Sequence, residues 1–525
     1  MANVFSFDTA RLETILIEKG LRGTWRSLLA TLIDSHNPEF RYILDSAFIA
    51  NAEPLQNNML NDLTIGQIGV LYEFCVAIQD ASARKRNGQF FTPDDVSGLM
   101  VKEALDFPVG RWLDPCSGIG NLSWHLVNQQ ADKEDFLINR MVLSDKDGLA
   151  LEIARVLFTL SFQNQHKDLY HRIEASFRVF DFLSVADKGD ASLFGSGQLS
   201  AVPSHDFVIV NPPYLGLKTE DSRFESSKAK DLYAYFLENI IKTSEGFVSV
   251  TPQSFTNAGK FRPIRRLLMA KFPTIKIYAF DNIPGNIFYG VKFGSTNTNS
   301  ANSIRAAIMV AKNSEKSRRI TSLLRWKTSE RSVMFKRLDE FLTEAPLSLD
   351  FFPKVSSVFL SLFNEMHKLP RLESLLSKTK TEFVLYVPTA PRYFISALKT
   401  SVSRASMKTL FFRSETDLNV AYLLLNSSLM YWWWRVRDGG MTLSLETIKS
   451  APIPEFEVDQ ELVDSLLVSE NTNKVYKRNA GAIQENIKHD MVLVARLNRH
   501  LVPVYSERLI LTHSNSELQQ LANPK

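Results

Sequence analysis

The sequence predicts an α/β chain built on a doubly wound, largely parallel sheet, and three observations carry that expectation. Arg111–Leu122, RWLDPCSGIGNL, reads as a short strand, a glycine-containing turn and the start of a helix. Two further runs, 140–143 ending at Ser144-Asp145 and 177–180 ending at Asp181, read as strands two and three. Asp206–Tyr214, DFVIVNPPY, then sets a β-branched apolar run against an abrupt Asn-Pro-Pro-Tyr stop. Proline cannot donate to a ladder and it restricts the residue before it, so this tetrapeptide is a stiff, extended loop at the C-terminal edge of a strand. In open α/β sheets that edge is where ligands bind.

The 525 residues allow two to four domains. A hydrophobic content of 45% with 22% charged residues is that of an ordinary soluble globular chain. A net charge of +4 leaves any nucleic-acid partner to local clusters of cations rather than to the overall field. The two cysteines, Cys75 and Cys116, argue against a disulfide framework and against a cysteine zinc site, and favour a reducing cytoplasm. The nine histidines show no metal-ligand spacing, so no metal is expected. The N-terminus lacks a basic, apolar leader, and no apolar run reaches about 18 residues, so neither a signal peptide nor a membrane span is expected.

Taken in order, residues 1–86 read as a helical region capping the next domain, with helices over Thr9–Lys19, Gly23–Ile33 and Ile65–Ile78 and possible caps at Asp8 and Asn61. Ala83–Pro93, ARKRNGQFFTP, is a basic loop running into a helix start, with Thr92 able to cap and Pro93 suited to the first helical position. In the Arg111–Leu122 turn, Gly118 and Gly120 let a ligand or a helix approach the backbone. Neither a full GxGxxG nor a phosphate-loop lysine is present. Asp114, directly after the strand, disfavours pyrophosphate and favours a cationic or amino-acid-bearing ligand. Asp145, at the end of the second strand, can take both hydroxyls of a ribose, while Asp147 suits the cap of the helix that runs through Leu160. Asp181 reads equally as an acceptor for an adenine amine, with Phe182 against the ring, or as an ordinary strand-to-loop aspartate. In the loop itself, the Asn211 amide, a backbone carbonyl and the Tyr214 ring suit a planar base bearing an exocyclic amine, and the same tetrapeptide reads equally as a proline-rich turn closing a strand.

Beyond the loop, Leu217–Lys230 reads as a mobile segment, Leu232–Thr243 as a helix and Gly246–Thr251 as a strand. Lys260, Arg262, Arg265, Arg266 and Lys271 cluster around a predicted helix, either as a phosphate-contacting surface or as a solvated face. Ile275–Phe280 and Ser303–Val310 are expected to be the last strands, with Asn286–Tyr289 aromatic and FGSTNTNSAN a loop between them. Composition shifts after Lys312, which divides the chain into 1–86, 87–312 and 313–525. In the last part, LLLNSSLMYWWWRVRDGG carries three consecutive tryptophans that cannot share one helix face. At least two are expected in the core, leaving others to face a partner beside Arg435 and Arg437. Arg392-Tyr393-Phe394 and Lys408–Arg413 are basic–aromatic pairings of the kind nucleic acids use.

The order GQFFTP, DPxxGxGN, an acidic strand end, DF and NPPY resembles the γ-class amino DNA methyltransferases, specifically S-adenosylmethionine-dependent adenine-N6 enzymes of the Eco57I/TaqI type, over roughly Arg84–Lys312. The tryptophan stretch and the API-P turn at Ala451–Pro454 are also similar to C-terminal regions of that family. The resemblance implies a Rossmann-like methyltransferase sheet with an N-terminal helical region and a C-terminal α+β target-recognition domain. It implies that Phe91, Thr92 and Pro93 cover the methionine part of S-adenosylmethionine, and that Asp114, Pro115, Gly118, Gly120 and Asn121 form its amino-acid pocket. Asp145 would hold the ribose, and Asp181 and Phe182 the cofactor adenine. Asn211, Pro212, Pro213 and Tyr214 would grip the target adenine, with Phe288 over its other face. The partner it implies is double-stranded DNA, in a solitary enzyme, a restriction pair with a cognate endonuclease, or a phage-defence complex. Cys116 and Ser117 stand where the family commonly has Ala and Cys; both are small, so little effect is expected. Two rival readings are a methyltransferase for protein glutamine or RNA sharing NPPY, and a DNA-binding subunit with a vestigial cofactor site.

Overall fold

The computed structural model describes residues 7–79, 92–184, 202–288, 292–293, 296–297, 304–391, 393–402, 404, 406–438, 442–479 and 482–519. Phe91, Tyr289 and Arg392 lie outside them. The chain divides into two compact units, Met1–Asn282 with Asn286–Arg318, and Ile283–Gly285 with Arg319–Lys525.

In the first unit, helices α1 (Thr9–Asp34, kinked at Gly20) and α2 (Ile65–Gln79) precede α3 (Asp94–Ala104). Asp8 caps α1 by accepting from the Arg11 N–H at 3.0 Å. Asn61 does not cap α2. Thr64 and Gln67 do so reciprocally, each side chain accepting from the other's backbone N–H, which satisfies two donors that a lone Asn would leave open.

The sheet then follows as β1 (Trp112–Asp114), α4 (Asn121–Asn128), β2 (Met141–Asp145), α5 (Gly148–Phe162), β3 (Phe177–Val179) and β4 (Phe207–Val210). It continues through α6 (Leu232–Thr243), β5 (Gly246–Pro252), α7 (Arg262–Lys271), β6 (Thr274–Ala279) and β7 (Ala306–Lys312). The strands of this unit run β6-β7-β5-β4-β1-β2-β3. The ladders β1/β2, β2/β3, β1/β4 and β4/β5 are parallel, and β7 lies antiparallel between β5 and β6. This is the Rossmann-like order, with its switch point between β1 and β4. Within the described part of FGSTNTNSAN, Phe293 pairs antiparallel with Thr296, and Lys292 before it with Asn297.

The N-terminal helices have no core of their own. Leu12, Trp25, Leu29, Leu71, Phe74 and Cys75 share one buried cluster with Ile119, Ile153, Val156 and Tyr170 of the sheet region. Helix α2 is apolar on every side, as a helix sandwiched between others must be.

In the second unit, Arg319–Thr321 pairs antiparallel with Leu342–Glu344, and Val384–Pro388 with Met407–Phe411. Helices α8 (Glu415–Leu425) and α9 (Ser428–Arg437) are capped by Ser414 and Ser427, whose hydroxyls accept from the Asp417 and Met430 N–H groups. All three tryptophans are buried, because α9 is enclosed on every side: Trp432 lies against Phe359, Trp433 stacks on Phe363, and Trp434 meets Tyr431. None faces a partner. Arg435 is likewise not a surface cation. It is 5% exposed, donates to the Leu323 carbonyl and pairs with Glu517 at 3.3 Å. Arg437 is half-buried over the Phe351 ring and bonded to Glu446 at 3.0 Å.

Candidate active site

Four strand ends converge at the switch point. Asp114 ends β1, Asp145 ends β2, Phe180 and Phe182 follow β3, and Asn211 follows β4. They line one cavity of about 390 Å³, within the range of small-molecule sites. Thr92, Pro115, Gly118, Asn121 and Pro213 also line it.

The turn after β1 is built around its two glycines. Gly118 has φ +54° and nothing within 4 Å of where a Cβ would stand, so its backbone borders open space. Its N–H donates to Asp145 Oδ2 at 2.8 Å. Gly120, at φ +85°, is pressed against Leu143 and Phe158, both 2.8 Å from a notional Cβ. There helix α4 packs onto the sheet, which is the second of the two uses that glycine has in such turns.

Asp114 is buried, with Oδ2 accepting from Ser123 Oγ at 2.9 Å. Burial pushes its carboxyl up to about 7, opposed by the Ser123 hydroxyl and the Cys116 N–H and reinforced by Asp145. Burial also raises Asp145. Its Oδ1 accepts from the Asp147 N–H at 2.9 Å, and Asp147 itself caps α5. Two buried, mutually repelling carboxyls in one cavity make it a receptor for positive charge. Asp181 is turned outward: it pairs with Lys146 at 2.8 Å and its Oδ1 accepts from the Leu183 N–H. Phe182 is buried and stacks on Phe236, which also lines the cavity.

Asn211 is half-buried and lines this cavity together with Asp114. Its Nδ2 donates to Thr92 Oγ1 at 2.9 Å, and its Oδ1 accepts from the Tyr214 hydroxyl at 2.7 Å. Its carbonyl accepts from Cys116 Sγ at 3.2 Å. The Tyr214 oxygen also lies 2.8 Å from the Val250 carbonyl. Thr92 therefore does not cap α3: Pro93 occupies the N-cap position, not the first helical one, and the threonine hydroxyl is spent on Asn211. Asn121 fixes Thr92 in turn, its Nδ2 donating to the Thr92 carbonyl and to Ser97 Oγ, both at 2.9 Å. Asn121 Oδ1 is buried without a hydrogen-bond partner among the described residues.

Phe288 is 2% exposed and its ring centre lies 6.1 Å from that of Tyr214, tilted 59°. Phe288 and Tyr214 are therefore ring neighbours in this structure. Arg265 is also displaced from its expected place. It is 1% exposed and donates to the Phe255 and Ala258 carbonyls, because it shares the buried face of α7 with Ile264 and Leu268. Arg262 and Arg266 lie on the exposed face, Arg266 paired with Glu225, while Lys260 is exposed and donates to the Ala229 carbonyl.

One wall of the cavity comes from α2, through Gly69, Tyr72, Glu73 and Val76. Tyr72 donates to Asp147. Nothing local in the sequence marks these residues; only the packing of an all-round apolar helix brings them there. Among the described residues no cluster of metal-ligating side chains occurs, and no helix is long and apolar enough to cross a membrane.

The sheet order is that of a Rossmann-like methyltransferase fold. Residues 139–288 match the family model described as Eco57I restriction-modification methylase, so that stretch of the chain is similar to that family. The matched stretch holds Asp145, Asp181 and the Asn-Pro-Pro-Tyr loop. Among solved structures the chain is similar to the DrdV–DNA complex at 13% identity and a TM-score of 0.50, over 87% of this chain and 68% of that one. It is also similar to the ATP-dependent type ISP restriction–modification enzyme LlaBIII bound to DNA (12% identity, TM-score 0.42, 88% of this chain, 36% of that one). A third likeness is to the type IIG restriction endonuclease BpuSI (11%, 0.39, 95% and 76%).

Proposed function

We propose that this chain transfers a methyl group from S-adenosylmethionine to the N6 amine of an adenine flipped out of double-stranded DNA, within a restriction–modification or phage-defence system. The observation that carries the reading is that Asn211, heading a rigid loop, opens onto the same cavity as the buried carboxyl of Asp114. The cavity's features fit the cofactor. Asp114, the open backbone at Gly118 and Asn121 Oδ1, which has no partner among the described residues, suit a cationic amino-acid group. Asp145 suits ribose hydroxyls, and Phe182 beside Phe236 suits a purine face. Bound there, S-adenosylmethionine would supply a methyl group on a sulfonium: the N–C bond forms as the C–S bond breaks, the neutral thioether leaves and the surplus amine proton goes to solvent, so no covalent enzyme nucleophile is needed.

The protein's work is positional. An adenine amine is a poor nucleophile because its lone pair is delocalised into the ring. Asn211 Oδ1 and the Pro212 carbonyl accept its two hydrogens, draw it towards tetrahedral geometry and localise the lone pair. The Tyr214 ring stacks on the base. Holding the reacting atoms about 3–3.5 Å apart supplies most of the acceleration. Extruding the base costs a few kcal/mol, offset by stacking and by the pocket's hydrogen bonds. The DNA partner is supported by the family match and by the DNA-bound relative of the same fold.

The test is methyl incorporation from labelled S-adenosylmethionine into duplex DNA, RNA and protein, with the methylated product identified by mass spectrometry. N6-methyladenine in DNA is the expected product. Labelled glutamine or RNA, with DNA unlabelled, would overturn the reading.

A further inference from the structure

We propose that Thr92 is a positioning residue for Asn211: its hydroxyl holds the amide of Asn211 in place for catalysis, in addition to any contact it makes with cofactor. The inference rests on the proposed methyl transfer for its kinetic consequence, but not for the pairing itself. Three observations converge. Asn211 Nδ2 donates to Thr92 Oγ1 at 2.9 Å across 119 positions of sequence. Thr92 is 5% exposed, so this bond is shielded from water. Its backbone is pinned by Asn121, whose Nδ2 donates to the Thr92 carbonyl and to Ser97 Oγ.

An amide side chain has two rotatable bonds and presents a donor and an acceptor that look alike in shape. If it swings, the oxygen that should accept from a base amine moves out of line. A hydroxyl on a fixed backbone resists that swing, whereas a methyl group of equal size does not. The bond at Oδ1 comes from Tyr214, whose loop is the same as that of Asn211. Thr92 thus holds the side-chain amide from a separate element, at the entry to α3. The glycine turn after β1 contributes as well, since Asn121, directly after Gly120, is the first residue of α4. Loop, α3 entry and α4 entry are thereby tied together at one amide.

The test compares Thr92→Val, which keeps shape and loses the hydroxyl, with Thr92→Ser, which keeps the hydroxyl. With Thr92→Val, single-turnover transfer at saturating S-adenosylmethionine is expected to fall 10- to 100-fold, with cofactor Kd changed less than threefold. Thr92→Ser is expected to recover most of that loss. A raised cofactor Kd with transfer intact at saturation, unchanged kinetics, or a loss that serine fails to recover would each overturn the proposal. A second readout needs no activity: the Tm losses of Thr92→Val and Asn211→Ala are expected to be non-additive in the double variant, because the second change removes a bond already lost. Strict additivity overturns the pairing. If the wild-type chain methylates nothing, the proposed reaction fails while the Tm cycle still decides whether Thr92 and Asn211 act together.

Discussion

The chemistry at the residue scale turns on Asp114 and Asn211. Asp114 keeps its proton in the folded protein to about pH 7, against an ordinary value of 3.8, because it is buried. The unfolded chain loses that proton near pH 4. Between those values the native state binds more protons, so stability of the ligand-free protein falls as pH rises from about 4 to 7. The total is on the order of 4 kcal/mol, at about 1.4 kcal/mol per unit. Asp114→Asn is expected to flatten that dependence, read as Tm against pH. A cationic ligand favours the ionised carboxyl, so S-adenosylmethionine affinity in calorimetry is expected to rise from pH 6 to 8, with proton release, and Asp114→Asn to remove the rise. The carboxyl's position was legible in the sequence, since an aspartate ending a strand before a glycine turn faces the ligand edge. The role of Thr92 was not. It sits before an obvious helix start, and local spacing says nothing of an asparagine 119 residues away.

Gly120 and α7 make the corresponding argument among the elements. Gly120→Ala would place a methyl 2.8 Å from both Leu143 and Phe158 at φ +85°. A loss of about 2–4 kcal/mol follows from strain and overpacking together, and cofactor binding is expected to weaken with it. On α7, Arg265→Ala is expected to destabilise by about 2–4 kcal/mol, since it removes a buried guanidinium that satisfies two carbonyls. Arg262→Ala is expected to leave Tm unchanged and, if this face meets phosphates, to lower the salt slope of DNA binding by about 1. The helical period separates the two: Ile264, Arg265 and Leu268 share one face, and Arg262 and Arg266, four apart, share another. Charge clustering alone hid that distinction. The strands were plainer, because parallel strands buried on both faces are short apolar runs wherever they occur.

Across the whole molecule, the N-terminal helices are part of the first unit rather than an appendage. Their cluster with Ile119, Ile153 and Val156 fixes α2 at the wall of the cavity, where Tyr72 donates to Asp147. Tyr72→Phe is therefore expected to weaken S-adenosylmethionine binding about tenfold while leaving Tm within a few degrees, whereas Trp25→Ala, in the shared core, should destabilise the chain by about 3–5 kcal/mol. That the helical region caps the next domain was expected from the sequence; that α2 walls the cavity was not, because a uniformly apolar helix carries no sign of its partner. The same holds for the tryptophan run in the second unit. At least two of the three tryptophans were expected in the core, as found, but the outward face left for the others does not exist on a helix enclosed on all sides. The central claim is that Asn211 performs transfer and not cofactor capture. Its most direct test is Asn211→Ala, measured by single-turnover methylation of duplex DNA alongside calorimetric titration with S-adenosylmethionine. A transfer rate lowered by at least 100-fold with cofactor Kd within about threefold of wild type is the predicted result; transfer near the wild-type rate would contradict it.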